Sequence, residues 1–308
     1  MQIYISGSLA YDRIMDFPDK FANHLLPDKL HILNVCFLVN DLEEKFGGTA
    51  GNIAYSLALL DERPVVLAAA GSDFGRYSRW MQQHSISLQG IKVVDDVPTA
   101  SAYITTDLSD NQITAFNPGA MKYPTFEDFR DFETKDSLGI VSPGNLEDMQ
   151  EYPRLYKKMG IPYIFDPGQN IPAFSGEQLT EMVTGCHVLM ANDYELSMIL
   201  QATGLSETEL LGLCDSVVVT LGEQGATVMD REGKRNVSAV KIDRPQDPTG
   251  AGDAFRAGFI KGLALSMEKV EAARMGSACA SFCVEKKGTQ EHSFTQEQFR
   301  DRYRRTQA

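Results

Sequence analysis

The chain of 308 residues is short of cations: 29 Lys and Arg stand against 42 Asp and Glu, a formal net charge of −13. Nucleic-acid binding draws on an excess of clustered Lys and Arg, and the balance here is the reverse, so nucleic acid is not an expected partner. Long apolar runs are missing as well. None approaches the roughly 20 residues needed to cross a bilayer, which excludes a membrane-spanning helix. The start, Met1-Gln2-Ile3-Tyr4-Ile5, has no basic stretch leading into a long apolar one, so no signal peptide is expected. Cysteine is scarce and odd in number: Cys36, Cys186, Cys214, Cys279 and Cys283 contain no CxxC pair. That argues against disulfide and zinc frameworks and favours a reducing cytoplasm. Absent too are GxxxxGK followed by Ser or Thr, the GxSxG elbow and the HExxH zinc helix, which removes the P-loop and the common hydrolase and zincin readings. What remains, 43% hydrophobic and 23% charged, is the composition of an ordinary folded protein.

The order of the apolar segments gives the fold class. Ile3–Ser6 is a short β-type run ending at Gly7-Ser8. After Gly47-Gly48, residues Ile53, Leu57, Ala58 and Leu60 recur at helical spacing, and Pro64 closes that pattern before the strand-like Val65–Ala68. The alternation resumes with strands at Leu138–Val141, Pro162–Phe165 and Val188–Met190, and helices from about Leu146, Gly176 and Tyr194. Strand and helix in series imply a mainly parallel sheet wrapped by helices. Two stretches break the rhythm. Tyr11–Phe17 and Ile32–Asn40 are β-like, and Ala100–Thr106 and Gln112–Phe116 flank the turn-forming Ser109-Asp110-Asn111 as a hairpin. Strands without helices between them most simply build a small separate sheet. It serves either as a flap that excludes water from a site or as a dimer contact. The expected division is a main α/β domain (1–8, 44–96 and 120–308) with a β lid (9–43 and 97–119).

The sharpest local signal is Asp247-Pro248-Thr249-Gly250-Ala251-Gly252-Asp253-Ala254-Phe255, just before a helical apolar face of Ala254, Phe255, Gly258, Phe259 and Leu263. The glycines fall at a helix N-terminus, where unpaired backbone N–H groups and the helix dipole suit phosphate oxygens. Asp253 lies in the same turn. A carboxylate kept ionised beside N–H donors can accept a proton from a hydroxyl while the amides stabilise a transferring phosphoryl group. A helix-capping acid in a glycine-rich turn is the plainer reading of the same residues. A dinucleotide fingerprint fits poorly, because Phe255 stands where a final small residue belongs.

These residues carry a resemblance to a known family. Gly47-Gly48-Thr49-Ala50-Gly51-Asn52 resembles the N-terminal signature of the ribokinase-like (PfkB) kinases, and Asp247–Asp253 resembles their C-terminal signature. Asn192-Asp193-Tyr194-Glu195 is similar to the family's NxxE motif, Thr220–Gly225 to its nucleotide-holding loop, and Gly288-Thr289 to the loop beside the adenine. The resemblance implies a three-layer αβα domain with a mainly parallel central sheet and a small β-sheet lid. It implies ATP as phosphoryl donor, Asp253 as base, and Gly250, Ala251 and Gly252 as donors to the phosphoryl group. Asp12, Gly48 and Asn52 become sugar contacts. Asn192, Glu195, Thr220, Gly222, Gly225 and Gly288 become nucleotide contacts. Glu195 orders magnesium through water, and Asp247 and Thr249 match part of a site for a monovalent cation, commonly potassium.

Sugar and nucleoside kinases share all of these motifs, so the acceptor rests on other residues. Asp166-Pro167-Gly168-Gln169 resembles the matching segment of bacterial and archaeal nucleoside kinases, and Asp110–Met121 that of adenosine kinase-like lids. Phe37, Tyr103, Phe116 and Met121 offer apolar surface for a flat base, and Gln169 offers one donor and one acceptor to its edge. The expectation is transfer to the 5′-hydroxyl of a purine nucleoside, adenosine first, with inosine or guanosine as further acceptors. The alternatives are a ribokinase- or fructokinase-type sugar kinase and a non-catalytic nucleoside-binding sensor. The protein is expected to act as a monomer or as a homodimer through the lid.

Overall fold

The computed structural model describes residues 1–32, 34–109 and 111–307. The chain opens with strands β1 (Gln2–Ser6), β2 (Ala10–Asp16) and β3 (Leu42–Gly47), then helix α1 (Thr49–Leu59). There follow β4 (Val65–Gly71), α2 (Gly75–Gln83), β5 (Ile91–Val94), β6 (Ala100–Thr106), β7 (Gln112–Asn117) and β8 (Ser137–Val141). The middle alternates α3 (Leu146–Met159), β9 (Tyr163–Phe165), α4 (Gly176–Val183), β10 (Val188–Asn192), α5 (Asp193–Thr203) and α6 (Glu207–Leu213). The C-terminal part is β11 (Val217–Thr220), β12 (Ala226–Asp230), β13 (Gly233–Val237), α7 (Ala251–Ala264), α8 (Lys269–Cys283) and α9 (Gln296–Arg305).

Local chemistry explains the helix starts. Asn145 accepts from the amides of Glu147 and Asp148 to begin α3, and Gly160 ends it in the left-handed region. Ser175 and Asn192 each close a capping box, at the mouths of α4 and α5. Among the described residues the main sheet has the order β13-β12-β11-β10-β9-β8-β1-β4-β5, parallel from β11 to β5 and antiparallel at β12 and β13. Alternation along each strand divides the core in two. Ile3, Ile5, Val66, Ile140 and Met190 pack beneath α1, α2, α7 and α8, with Ile53, Tyr77 and Phe259 among the partners. Tyr4, Leu67, Val141, Phe165 and Leu189 face α3 to α6, meeting Met149, Tyr152, Leu179 and Ile199. Cys279 and Cys283 are buried in a third apolar cluster between α8 and α9. No described helix is long and apolar enough to cross a membrane.

The smaller sheet has the order β3-β2-β6-β7. Here the chain departs from expectation. Ile32–Asn40 forms no strand among its described residues; Pro27–Ile32 is a 3-10 turn, and the strand forms later, at Leu42–Gly47, antiparallel to β2. The small sheet therefore extends past residue 43, because β2 offers an open edge along which Leu42 and Glu43 stay exposed while Glu44 pairs with Arg13 and Lys45 donates to the Lys287 carbonyl. The hairpin β6–β7 forms as expected, and Asp110 of its turn lies outside the described residues.

Candidate active site

The parallel strands carry their C-terminal ends to one edge, where open α/β sheets bind ligands. Helix α7 meets that edge with its N-terminus. Gly250 caps it at φ +79, a left-handed conformation that glycine adopts without the strain of a side chain, and a Cβ there would also lie 2.9 Å from Thr289 Cγ2. The first helical bond runs from Ala254 N to Gly250 O, 2.9 Å. Ala251 differs from expectation: its N–H donates to Pro248 O at 3.1 Å and is engaged inside the loop. The helix mouth is left with the first-turn amides of Gly252 and Asp253, which have no intrahelical partner.

Asp253 is partly buried in this turn. Its Oδ2 accepts from Asn52 Nδ2 at 2.8 Å, so Asn52 reaches from α1 to the carboxylate. Burial pushes the Asp253 carboxyl up to about 6, against the pull of Arg256 and the Asn52 hydrogen bond. The ionised state expected from the helix terminus is thus less favoured than the motif suggested, because desolvation outweighs the donors. Arg256, one turn further along α7, was not singled out by the sequence. Its guanidinium is buried, grips Asp166 through Nε to Oδ2 and through Nη2 to Oδ1 at 2.6 Å, and passes beneath Gly252. A buried bidentate pair of this kind fixes the end of β9 to the helix that forms the anion-accepting mouth.

Asp12 leaves β2 toward the same edge, its carboxylate against Gly47, and burial raises it to about 6. Gly48 caps α1. In the small sheet Asp12, Ala102 and Phe116 are register partners and share one face, with Ile14, Ile104 and Thr114 in the next row. Phe116 is 51% exposed on that face. Tyr103 is not brought there: it pairs with Arg13, whose Nη1 donates to its hydroxyl at 2.8 Å on the opposite face. Phe37 packs on Phe17 and Phe21, inside the lid. Gln169 is exposed on the turn after β9.

The remaining residues line the neighbouring part of the edge. Asn192 and Glu195 close the cap of α5, Glu195 Oε2 accepting from Asn192 N at 2.8 Å and the other oxygen staying free; burial raises its carboxyl. Thr220 ends β11 beside Asn192, and Gly222 and Gly225 shape the turn to β12. Asp247 ties two loops together, accepting from Thr249 N at 2.9 Å and Gly288 N at 3.0 Å. Burial pushes Asp247 up, but these hydrogen bonds outweigh it and hold it below the ordinary carboxylate value. The Thr249 carbonyl accepts from Cys283 Sγ.

A helix mouth open to anions, with a carboxylate in its first turn and a separate sheet over the edge, is equipment for moving a phosphoryl group to a hydroxyl, and the protein is a phosphotransferase of ribokinase-like fold. It belongs to the pfkB family of carbohydrate kinases, whose model matches residues 25–296. It is 35% identical to the nucleoside kinase of Burkholderia thailandensis solved with inosine, with a TM-score of 0.85 over 98% of this chain and 96% of that one. The same enzyme has also been solved with ADP-inosine. The nucleoside kinase of Methanocaldococcus jannaschii is 28% identical over 83% of this chain and 85% of its own length. The ribokinase of Haemophilus influenzae is 25% identical over 80% and 83%. The chain is accordingly an ATP-using kinase of nucleosides or sugars.

Proposed function

We propose that the acceptor is a purine nucleoside, adenosine first with inosine and guanosine also accepted, and that the γ-phosphoryl group of ATP goes to its 5′-hydroxyl. The observation that carries this reading is the lid face. Phe116, Ile14 and Ile104 stand in line with Asp12, so a carboxylate suited to a ribose diol lies beside apolar surface suited to a flat base. A free sugar has no use for that surface. Likeness to a nucleoside kinase solved with inosine supports the same class, and the exposed Gln169 is the candidate reader of the base edge.

In this reading Asp253 takes the hydroxyl proton on the oxygen that Asn52 leaves free, and the amides of Gly252 and Asp253, with Gly250 at the turn, stabilise the transferring group. Among the described residues no group of three or more His, Cys, Asp and Glu side chains is placed to hold a metal. Magnesium fits as an ion delivered on the ATP phosphates, with Glu195 offering its free oxygen to a bound water, and it would neutralise developing charge there. A potassium ion would be held by loop carbonyls around Asp247 and Thr249; stimulation of turnover by KCl over NaCl checks it. Lid closure before transfer would keep water from the γ-phosphate.

Acceptor-dependent ADP release across nucleosides and sugars tests the assignment. The expected result is a higher kcat/KM for adenosine, inosine or guanosine than for ribose or fructose. A sugar winning the panel overturns the acceptor, and no release with any acceptor favours a binding protein. Asp253→Asn should keep nucleoside binding and lose about a hundredfold or more of turnover.

A further inference from the structure

A buried polar chain runs into Asp253 from residues outside the motifs. Trp80 on α2 donates its indole N–H to Gln290 Oε1 at 2.9 Å. Gln290 Nε2 donates to Asn52 Oδ1 at 3.0 Å and to the Tyr77 hydroxyl at 2.7 Å. Asn52 Nδ2 then ends the chain on Asp253 Oδ2. Gln290 and Asn52 are 4% and 5% exposed and Tyr77 not at all, so water does not compete for these bonds.

The direction of the chain is dictated at its far end. A side-chain amide has a donor end and an acceptor end of nearly equal size, and shape alone allows either orientation. An indole N–H can only donate, so Gln290 must turn its oxygen to Trp80. Tyr77 uses its own proton on the Gly47 carbonyl at 2.8 Å, so its oxygen accepts from Gln290, which again calls for Nε2 on that side. Two independent partners impose one orientation. Gln290 therefore offers an N–H to Asn52, Asn52 must answer with Oδ1, and its NH2 is left pointing at Asp253.

We propose that Trp80 and Gln290 are positioning residues for phosphoryl transfer: through the polarity of this chain they hold the Asn52 amide with its NH2 toward Asp253, anchoring one carboxylate oxygen and leaving the other for the acceptor hydroxyl. The inference rests on Asp253 being the base. A hydrogen bond donated to Oδ2 is stronger when the carboxyl is ionised, so the chain favours the carboxylate, against the larger effect of burial. It acts beside the other charged and titratable groups that face Asp253: Arg256 on its own helix, Asp166 after β9, Asp12 on β2, Tyr77 on α2 and Cys283 on α8.

The test compares Trp80→Phe, Gln290→Met, the double variant and Asp253→Asn in the full-length protein, with kcat and the acid limb of kcat/KM as readouts and thermal melting as the check on folding. Phenylalanine keeps a ring against Phe46 and Tyr55, on which Trp80 stacks. Each single change should lower kcat about tenfold or more, the worth of a charge-assisted hydrogen bond, and move the acid limb to higher pH. Because Trp80 acts through the Gln290 amide, Trp80→Phe should add nothing in the Gln290→Met background. An unmoved acid limb in Trp80→Phe, or losses that multiply in the double variant, overturns the proposal. Should Gln290→Met fail to fold, the acid limb of Trp80→Phe decides alone. Turnover surviving in Asp253→Asn instead removes the base assignment itself, whereas an inactive Asp253→Asn beside an unmoved limb removes only the positioning role.

Discussion

Asp253 and Asp12 are both pushed by burial to about 6, above the ordinary aspartate value of 3.8. A base must be deprotonated, so turnover should rise with pH through about 6, and a pH–rate profile of kcat/KM reads this directly. The same shift has the opposite sign for stability. Between the two values the folded protein binds more protons than the unfolded chain, so the stabilisation is full below the unfolded pKa and lost as pH rises through about 6. Asp253→Asn removes an ionised, poorly solvated carboxylate and should raise the melting temperature at about pH 8, with little change at about pH 4. Calorimetry at the two pH values checks it. At this scale the sequence was most legible where the candidate site is contiguous: the turn from Gly250 to Asp253 could be placed at a helix start because it holds both glycines and acid. Tyr103 was misplaced because facing depends on register. In the pairing that forms, residue 103 stands beside Arg13, and the neighbouring row carries Asp12 with Phe116.

Elements follow the letters where a cap or a period is strong. The boxes at Ser175 and Asn192 and the Asn145 cap start helices at residues that any chain of this composition would use. β3 is the counter-example: Leu42–Gly47 carries three charges and lacks strand alternation, yet it pairs with β2 because that edge is open. Ile32–Asn40, more β-like in composition, forms no strand among its described residues, although Asn40 N donates to Asp16 O at 3.0 Å. The helix pair α7–α8 shows how packing places the site. A Cβ on Gly258 would lie 2.4 Å from Met275 O and 2.8 Å from Gly276 Cα, so the two backbones touch. Gly258→Ala should force them apart at a cost of about 1–3 kcal/mol, measurable by urea denaturation, and should lower kcat because the same helix carries Asp253.

For the whole molecule the charge of −13 opposes the approach of ATP, which is itself an anion. Positive potential at the site comes from the amides at the mouth of α7, because the charge of the buried Arg256 is compensated by Asp166. Salt screens the distant acids more than these close contacts. The KM for MgATP should therefore fall as ionic strength rises from low to physiological, the reverse of an enzyme that gathers ATP with surface lysines, and initial rates across a NaCl series test it. By itself the sequence determined the α/β class, the helix starts, and the glycine–acid turn, because hydrophobic period, capping and backbone freedom act over a few residues. Only the tertiary structure decided the face of the lid, the Arg256–Asp166 clamp, and the chain from Trp80 through Gln290 and Asn52 to Asp253. Those depend on which distant groups are buried together, and a buried donor or acceptor is specified by the partner it meets in space.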